Sequence, residues 1–383
     1  MSVARTLDEV EALRGPWSSV PWGRVDADLD FYRRVIVSRS QIERPHAILV
    51  EREGRATAAL AGWIENMPLA SRFGYATVFA PTVRSLTATL GGVVSPADDA
   101  TATRLIDAAL EVFATRGVHV IRLPGVPTES PFVRAFEARV PQFRRQVLVK
   151  PRTHHQLTLP STFDEFLASR SKGTRKNIKL YRNRFERTFG SNSALRIFSG
   201  ADDLTRMGED LEVVAEKTYQ RGLGVGFADS REELSLLELS LARGWFRAYV
   251  LYVAQAPIAF WTGWAYGDTF YTGATGYDPD FASHRVGTYL LCRVIEDLCA
   301  DPSIRIVDFG SGDAAYKHQF GSETWSEKDV LVFAPTLRAV GINAVRTAVQ
   351  AADLGAKRVL RSAGWGDRVK TLWRSRLREP SST

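Results

Sequence analysis

Residues 248–264, AYVLYVAQAPIAFWTGW, align without gaps on residues 47–63, AILVEREGRATAALAGW, and this pair of segments decides the architecture. Ala47/Ala248, Ala58/Ala259, Gly62/Gly263 and Trp63/Trp264 coincide. Each segment reads as a β-hairpin whose turn lies near Gly54 or Gln255. Further on, residues 102–125 (ATRLIDAALEVFATRGVHVIRLPG) parallel residues 287–310 (GTYLLCRVIEDLCADPSIRIVDFG) as helix, short loop and strand. Four identities in seventeen carry little alone, but the repeated order of hairpin, helix and strand points to an internal duplication. The expected fold is α+β. Two tandem mixed-sheet domains with flanking helices span 1–150 and 151–335, the boundary lying near Lys150-Pro151, and a basic helical tail spans 336–383.

Composition agrees with two globular domains: 383 residues, 45% hydrophobic and 24% charged. The longest apolar runs, such as Leu251 to Ala254 and Val330 to Ala334, fall far short of the ~20 residues of a membrane-spanning helix. Met1 to Arg14 is charged and lacks the apolar core of an export signal, so the expected location is cytoplasmic. Cys292 and Cys299 are seven apart on one expected helix, too far for a disulfide, and read as core residues of a reducing compartment. Six histidines without zinc-type spacing argue against a metal, and His154 and His155 alternate into a strand as structural residues. The net charge of +7 comes from residues 336–383, with ten Lys or Arg against three acids, which leaves 40 of each in the remainder. Within that tail Val369, Leu372, Trp373 and Leu377 share a helical face amid arginines, a pattern suited to peripheral contact with an anionic membrane.

The two copies part company where chemistry begins. The first ends in Leu123, Pro124 and Pro127, whereas the second runs into Asp308-Phe-Gly-Ser-Gly-Asp-Ala-Ala-Tyr-Lys-His-Gln-Phe-Gly321. A carboxylate, a phenol and an amine thus share a glycine-rich turn, and Asp308, Asp313, Tyr316 and Lys317 are the candidate catalytic groups. Two stretches compete as a phosphate cradle. Arg221-Gly-Leu-Gly-Val-Gly226 fits the Arg-x-x-Gly-x-Gly pattern of acyl-coenzyme A binding, but it follows a helix rather than a strand. The preferred cradle is Ser283, His284, Arg285, Val286, Gly287 and Thr288, which follows a strand and opens a helix. Ser283 is expected to cap that helix, Arg285 to meet a phosphate and Gly287 to let a ligand approach. Residues 163–189 read as helical with a basic stripe, Lys172, Arg175, Lys176, Lys179 and Arg182, that attracts phosphates. Trp261 and Trp264 are candidates to stack on a sugar in an acceptor groove.

Tyr277-Asp-Pro-Asp-Phe281, Gly287, Asp308-Phe-Gly-x-Gly-Asp313, Tyr316-Lys317 and Phe320-Gly321 together resemble the GNAT-superfamily acyltransferases of the cellulose-biosynthesis (CelD/BcsL) type, relatives of the FemABX peptidoglycan transferases. The resemblance implies a pair of GNAT-like folds, acyl-CoA (acetyl-CoA) as cosubstrate, and transfer to an amine or hydroxyl of a small molecule or glycan precursor. Within such a reaction Asp313 is the expected base, Tyr316 the acid for the departing thiolate, and Lys317 the stabiliser of the carbonyl oxygen; Asp308 orients them or serves as base. A FemABX-like use of aminoacyl-tRNA, with the basic helix and tail on RNA, is the alternative. A non-catalytic role in polysaccharide assembly is a third.

Overall fold

Strands β2 (Ile42–Arg52) and β3 (Arg55–Pro68) pair antiparallel, and β10 (Phe246–Val253) and β11 (Ala256–Tyr266) do so in the same register. His46 faces Gly62 and Arg247 faces Gly263; Ala47 faces Ala61 and Ala248 faces Thr262. Each hairpin is irregular at one equivalent step, between Val50 and Glu51 and between Leu251 and Tyr252. The next strand, β6 (Thr82–Val94) or β12 (Thr269–Tyr277), again joins antiparallel, with a second matched irregularity at Leu60/Gly62 and Trp261/Gly263. A crossover helix, Asp99–Leu110 or Val286–Ala300, then returns the chain to a strand parallel to the last, β7 (Val120–Pro127) or β13 (Ile306–Ser311). Parallel neighbours need such a crossover because no tight turn can join them. Two hairpins with the same bulges and the same crossover bear out the duplication read from four identities.

The computed structural model describes residues 1–52, 55–74, 76–95, 98–114, 117–218, 227 and 230–362, with side chains to 359. Residues 221–226 and the apolar positions of 369–377 lie outside the described residues. Two units emerge, Met1–Pro151 with Ser326–Thr383, and Arg152–Trp325. The first has strand order β1 (Ser2–Ala4), β2, β3, β6, β7, β14 (Glu323–Phe333, of which it holds the part from Ser326 on), and carries a short ribbon of β4 (Ser71–Phe73) and β5 (Ala76–Phe79). The second has the order β9 (Ser193–Phe198), β10, β11, β12, β13, β8 (Arg152–Thr158). The first unit therefore takes residues from beyond the expected 1–150. Val330 to Phe333 pair with Leu123 to Val120, and in the helix Leu337–Ser362 the buried Arg346 donates to the Leu69 and Ala70 carbonyls.

The second sheet is packed on both faces. Tyr249, Leu251 and Trp261 join Leu290, Ile295 and Phe320 on one side, while Ala248, Val250 and Phe260 join Met207, Leu211 and Leu237 on the other. That explains the unbroken apolar run of β10, since a strand buried on both faces has no polar side to alternate with. Cys292 and Cys299 are free, and burial pushes their thiols up to about 12 and about 11, which leaves them unreactive at neutral pH. Among the described residues no helix is long and apolar enough to cross a membrane.

The two shared glycines have a steric reason. A Cβ at Gly62 would lie 2.7 Å from the Thr87 carbonyl oxygen, and one at Gly263 would lie 2.3 Å from the Phe270 ring and 2.7 Å from the Tyr271 carbonyl oxygen. We predict that Gly62→Ala and Gly263→Ala each cost about 1–3 kcal/mol through overpacking, read as a lower denaturation midpoint; wild-type midpoints would refute the steric account. His46, buried in β2 beside Arg44, has its pKa lowered to about 4 by burial and then by the Arg44 and Arg5 charges. Its unfolded form takes up a proton first as pH falls. The contribution of His46 to stability is therefore expected to be full above about 6.5 and to decline towards pH 4 by up to about 3 kcal/mol. His46→Gln should flatten that decline, and an unchanged slope would contradict it.

Candidate functional site

Strand β13 keeps step with β12 as far as Asp308, which faces Tyr271. On its other side it pairs with β8, and the register slips between Asp308, opposite Gln156, and Gly310, opposite His155. Gly310 adopts φ 68°, a left-handed conformation that glycine reaches at little cost. Its N–H donates to Asp308 Oδ1 at 2.6 Å, and His154 Nε2 donates to the same oxygen at 2.8 Å. Asp308 and His154 are both buried, and the His154 ring lies flat on Trp325, 4.1 Å between centroids. The first unit has a counterpart to the glycine but not to the histidine. Gly125 (φ 62°) donates to Asp329 Oδ1 at 3.1 Å, and the residue two before it is the buried Leu123.

Beyond the bulge a turn leads into the short helix Ala315–Phe320. Lys317 is buried in that helix, and its ammonium donates to the carbonyls of Ser311 (2.8 Å) and Gly310 (3.3 Å). The guanidinium of Arg170 closes the other end, donating to the Phe320 and Gly321 carbonyls at 2.9 Å each. Lys317, expected to meet a substrate oxygen, thus clamps the turn. Tyr316 is half-buried with its ring edge-on to Trp261 (5.4 Å) and Phe309 (5.9 Å), and burial pushes its phenol up to about 12, so it keeps its proton at neutral pH. Asp313 does not cap the helix, whose N-cap is Ala314; its exposed carboxylate lies 3.6 Å from His318 Nε2. His318 meets the ring of His155 edge-on at 4.5 Å. His155 is fully buried, neither of its ring nitrogens has a hydrogen-bond partner, and burial lowers its pKa.

The expected cradle is built differently from its sequence reading. Residues Pro279–His284 form a 3-10 turn capped by Asp278, which also accepts from Lys217 Nζ at 2.7 Å. Ser283 therefore falls inside that turn and does not cap the helix, which starts only at Val286 with Arg285 as its N-cap in the left-handed conformation (φ 56°). His284 packs edge-on against Phe189, the Arg285 guanidinium lies 5.7 Å from the Tyr181 ring, Val286 is core and Thr288 is half-buried. A Cβ at Gly287 would sit 3.4 Å from Tyr277, an ordinary contact, so packing alone does not demand glycine. The helix Val286–Ala300 opens with no side-chain cap and no acid in its first turn. Its counterpart Asp99–Leu110 opens with Asp99 and is capped by Asp98, which accepts from the Thr101 N–H at 2.9 Å.

The remaining candidates are dispersed. Trp261 is core on the Tyr316 side, whereas Trp264 packs against Phe246 among the residues of the other face and donates to Ser240 Oγ at 3.3 Å, so the two do not line one groove. Arg175 donates to the Ala168 carbonyl at 3.0 Å, and Arg182 reaches Glu296 at 3.3 Å. Lys172, Lys176 and Lys179 of the helix Lys172–Phe189 are exposed. The sequence reading took His154 and His155 as structural strand residues and passed over His318. The adjacent histidine pair was the available signal, but the partner of β8 is a strand some 150 residues away and its register is not local information.

Residues 172–318 match the family model of the acetyltransferase (GNAT) domain. The fold is similar to that of FemX at 12% identity and a TM-score of 0.58, covering 87% of this chain and 97% of that one. It is also similar to a conserved protein of unknown function from Bacteroides thetaiotaomicron (13% identity, TM-score 0.51, 86% and 100% covered). A third likeness is to the C-terminal domain of a putative lysylphosphatidylglycerol synthetase from Agrobacterium fabrum (11%, 0.51, 88% and 96%). No curated protein matches the sequence. At these identities the likeness is one of fold, and the chain has the expected class, α+β with two tandem GNAT-like mixed-sheet units.

The clamp makes a prediction. Lys317→Met should lower stability by about 1–3 kcal/mol, because two carbonyls of the turn lose their donor. An unchanged denaturation midpoint would show that the turn holds without the amine.

Proposed function

We propose that the second unit transfers an acyl group, acetyl being the simplest, from acyl-CoA to an amine or hydroxyl acceptor. One observation carries the reading. Within the stretch that matches the GNAT domain, a crossover helix between parallel strands opens uncapped, without acids and with Arg285 at its start, while its counterpart in the first unit is closed by Asp98 and Asp99. Unpaired N–H groups and the helix dipole favour a pyrophosphate at the first opening, and two carboxylates disfavour one at the second. Val286 and Gly287 would present those N–H groups, the Thr288 N–H being bonded to the Arg285 carbonyl at 3.0 Å, and Arg285 would supply the charge.

In the proposed reaction the acceptor nitrogen or oxygen attacks the thioester carbonyl. A C–N or C–O bond forms and the C–S bond breaks. Asp313, exposed at the turn, takes the acceptor proton, and Tyr316, protonated at neutral pH, gives one to the departing thiolate. Asp308 and Lys317 act as positioning residues through the bulge and the carbonyls they hold. Kinship with the cellulose-biosynthesis CelD type would make the acceptor a sugar or cell-envelope polysaccharide precursor, met in the cytoplasm at the inner face of the membrane. The exposed Lys172, Lys176 and Lys179 together with the FemX-like fold support the second reading, an aminoacyl-tRNA donor.

The assay is thiol release from acetyl-CoA with amine and sugar-nucleotide acceptors. Asp313→Asn and Tyr316→Phe should each lower kcat/KM by about 100-fold or more. Full activity in both folded variants would overturn the roles, and consumption of charged tRNA in place of acyl-CoA would favour the second reading.

A further inference from the structure

We propose that His155, Asp313 and His318 form a binding site for a first-row divalent cation, with Zn²⁺ the best fit. A buried imidazole ordinarily hydrogen-bonds through at least one nitrogen. His155 is 0% exposed and both of its ring nitrogens lack a partner. One ligand atom from each of His155, Asp313 and His318 lies within 4.8 Å of the other two. The buried histidine is thus aimed into the cluster, and the other two members approach it from the surface.

The geometry suits a small cation. In a tetrahedral zinc site with bonds of about 2.0–2.1 Å, neighbouring ligand atoms stand about 3.3–3.5 Å apart. Asp313 Oδ1 and His318 Nε2 are already at 3.6 Å. Both side chains are exposed, so a change of rotamer closes the remaining distances. Two imidazoles and one carboxylate are borderline donors that select zinc or cobalt over magnesium or calcium, and three protein ligands leave a fourth position open to water. The backbone is braced for this: Gly310 sets His155 in register, and the Lys317 amine is turned into the carbonyls of Gly310 and Ser311. The sequence showed no such site because its members come from β8, a turn and a helix rather than from one spaced motif.

The site has a consequence for catalysis. With its carboxylate on the cation, Asp313 cannot accept the acceptor proton, so the cation holds the transferase off. That consequence rests on the function proposed above; the binding itself does not.

The test uses tag-free, full-length protein stripped with a chelator, titrated with Zn²⁺ by calorimetry and with Co²⁺ by visible absorption. We expect one equivalent of each, the intense bands of four-coordinate cobalt, and no heat with Mg²⁺. His318→Ala and Asp313→Asn, both at exposed positions and checked for folding by circular dichroism, should each weaken binding about tenfold or more. No stoichiometric binding, or variants that bind as the wild type does, overturns the site. Cation binding by a protein that shows no transferase activity even after the chelator has stripped it would sustain the site and count against the function.

Discussion

The candidate site hangs from one buried carboxylate. Asp308 accepts from the N–H of Gly310 and from His154 with a single oxygen, and so pins the bulge that separates β13 from a regular strand. The half-buried Gly310 N–H and the buried His154 Nε2 would each lose this acceptor without it, at a cost of about 1–3 kcal/mol each. Everything downstream depends on where that bulge lies. It places His155 opposite Gly310, sends the chain into the turn that carries Asp313, and brings the Gly310 and Ser311 carbonyls within reach of Lys317.

The first unit shows which parts of this are scaffold. Gly125 has the same left-handed backbone as Gly310 and the same carboxylate on its N–H, yet that carboxylate comes from Asp329 on the neighbouring strand. A bulged glycine held by an acid therefore belongs to the duplicated fold and says nothing of catalysis. What the second copy adds is the acid on its own strand, the histidine bonded to it, and the polar turn beyond. The start of the crossover helix diverges in the same sense, from Asp98 and Asp99 in one copy to Arg285 in the other. One copy keeps the frame, while the other adds the groups to which the proposed function assigns the donor.

Much of the frame was legible in the sequence because it is local. The hairpins, the crossover helices and the strands after them follow from apolar periodicity and from turns, and the four shared residues marked positions whose register proved equal. Gly62 and Gly263 persist because the next strand leaves no room for a methyl. The sixth strand of each sheet was not legible. Residues 327–333 pair with β7, and 154–158 with β13, across separations that no local pattern encodes. The same limit hid His154, His155 and His318, since their meeting with Asp308 and Asp313 exists only once β8 is placed. Ser283 was misread for a different reason: the turn hydrogen-bonds on itself for two residues more than a simple cap would need. Trp264 looked like a partner to Trp261 until the strand sent them to opposite faces.

The central claim is that only the second copy receives an acyl-CoA donor, at the opening of the helix Val286–Ala300. Hydrogen exchange of the full chain with and without acetyl-CoA tests it most directly. The account predicts protection at residues 285–289 and in the 308–318 turn, with residues 98–102 of the first copy unchanged. Protection at 98–102, or none in either copy, would contradict it.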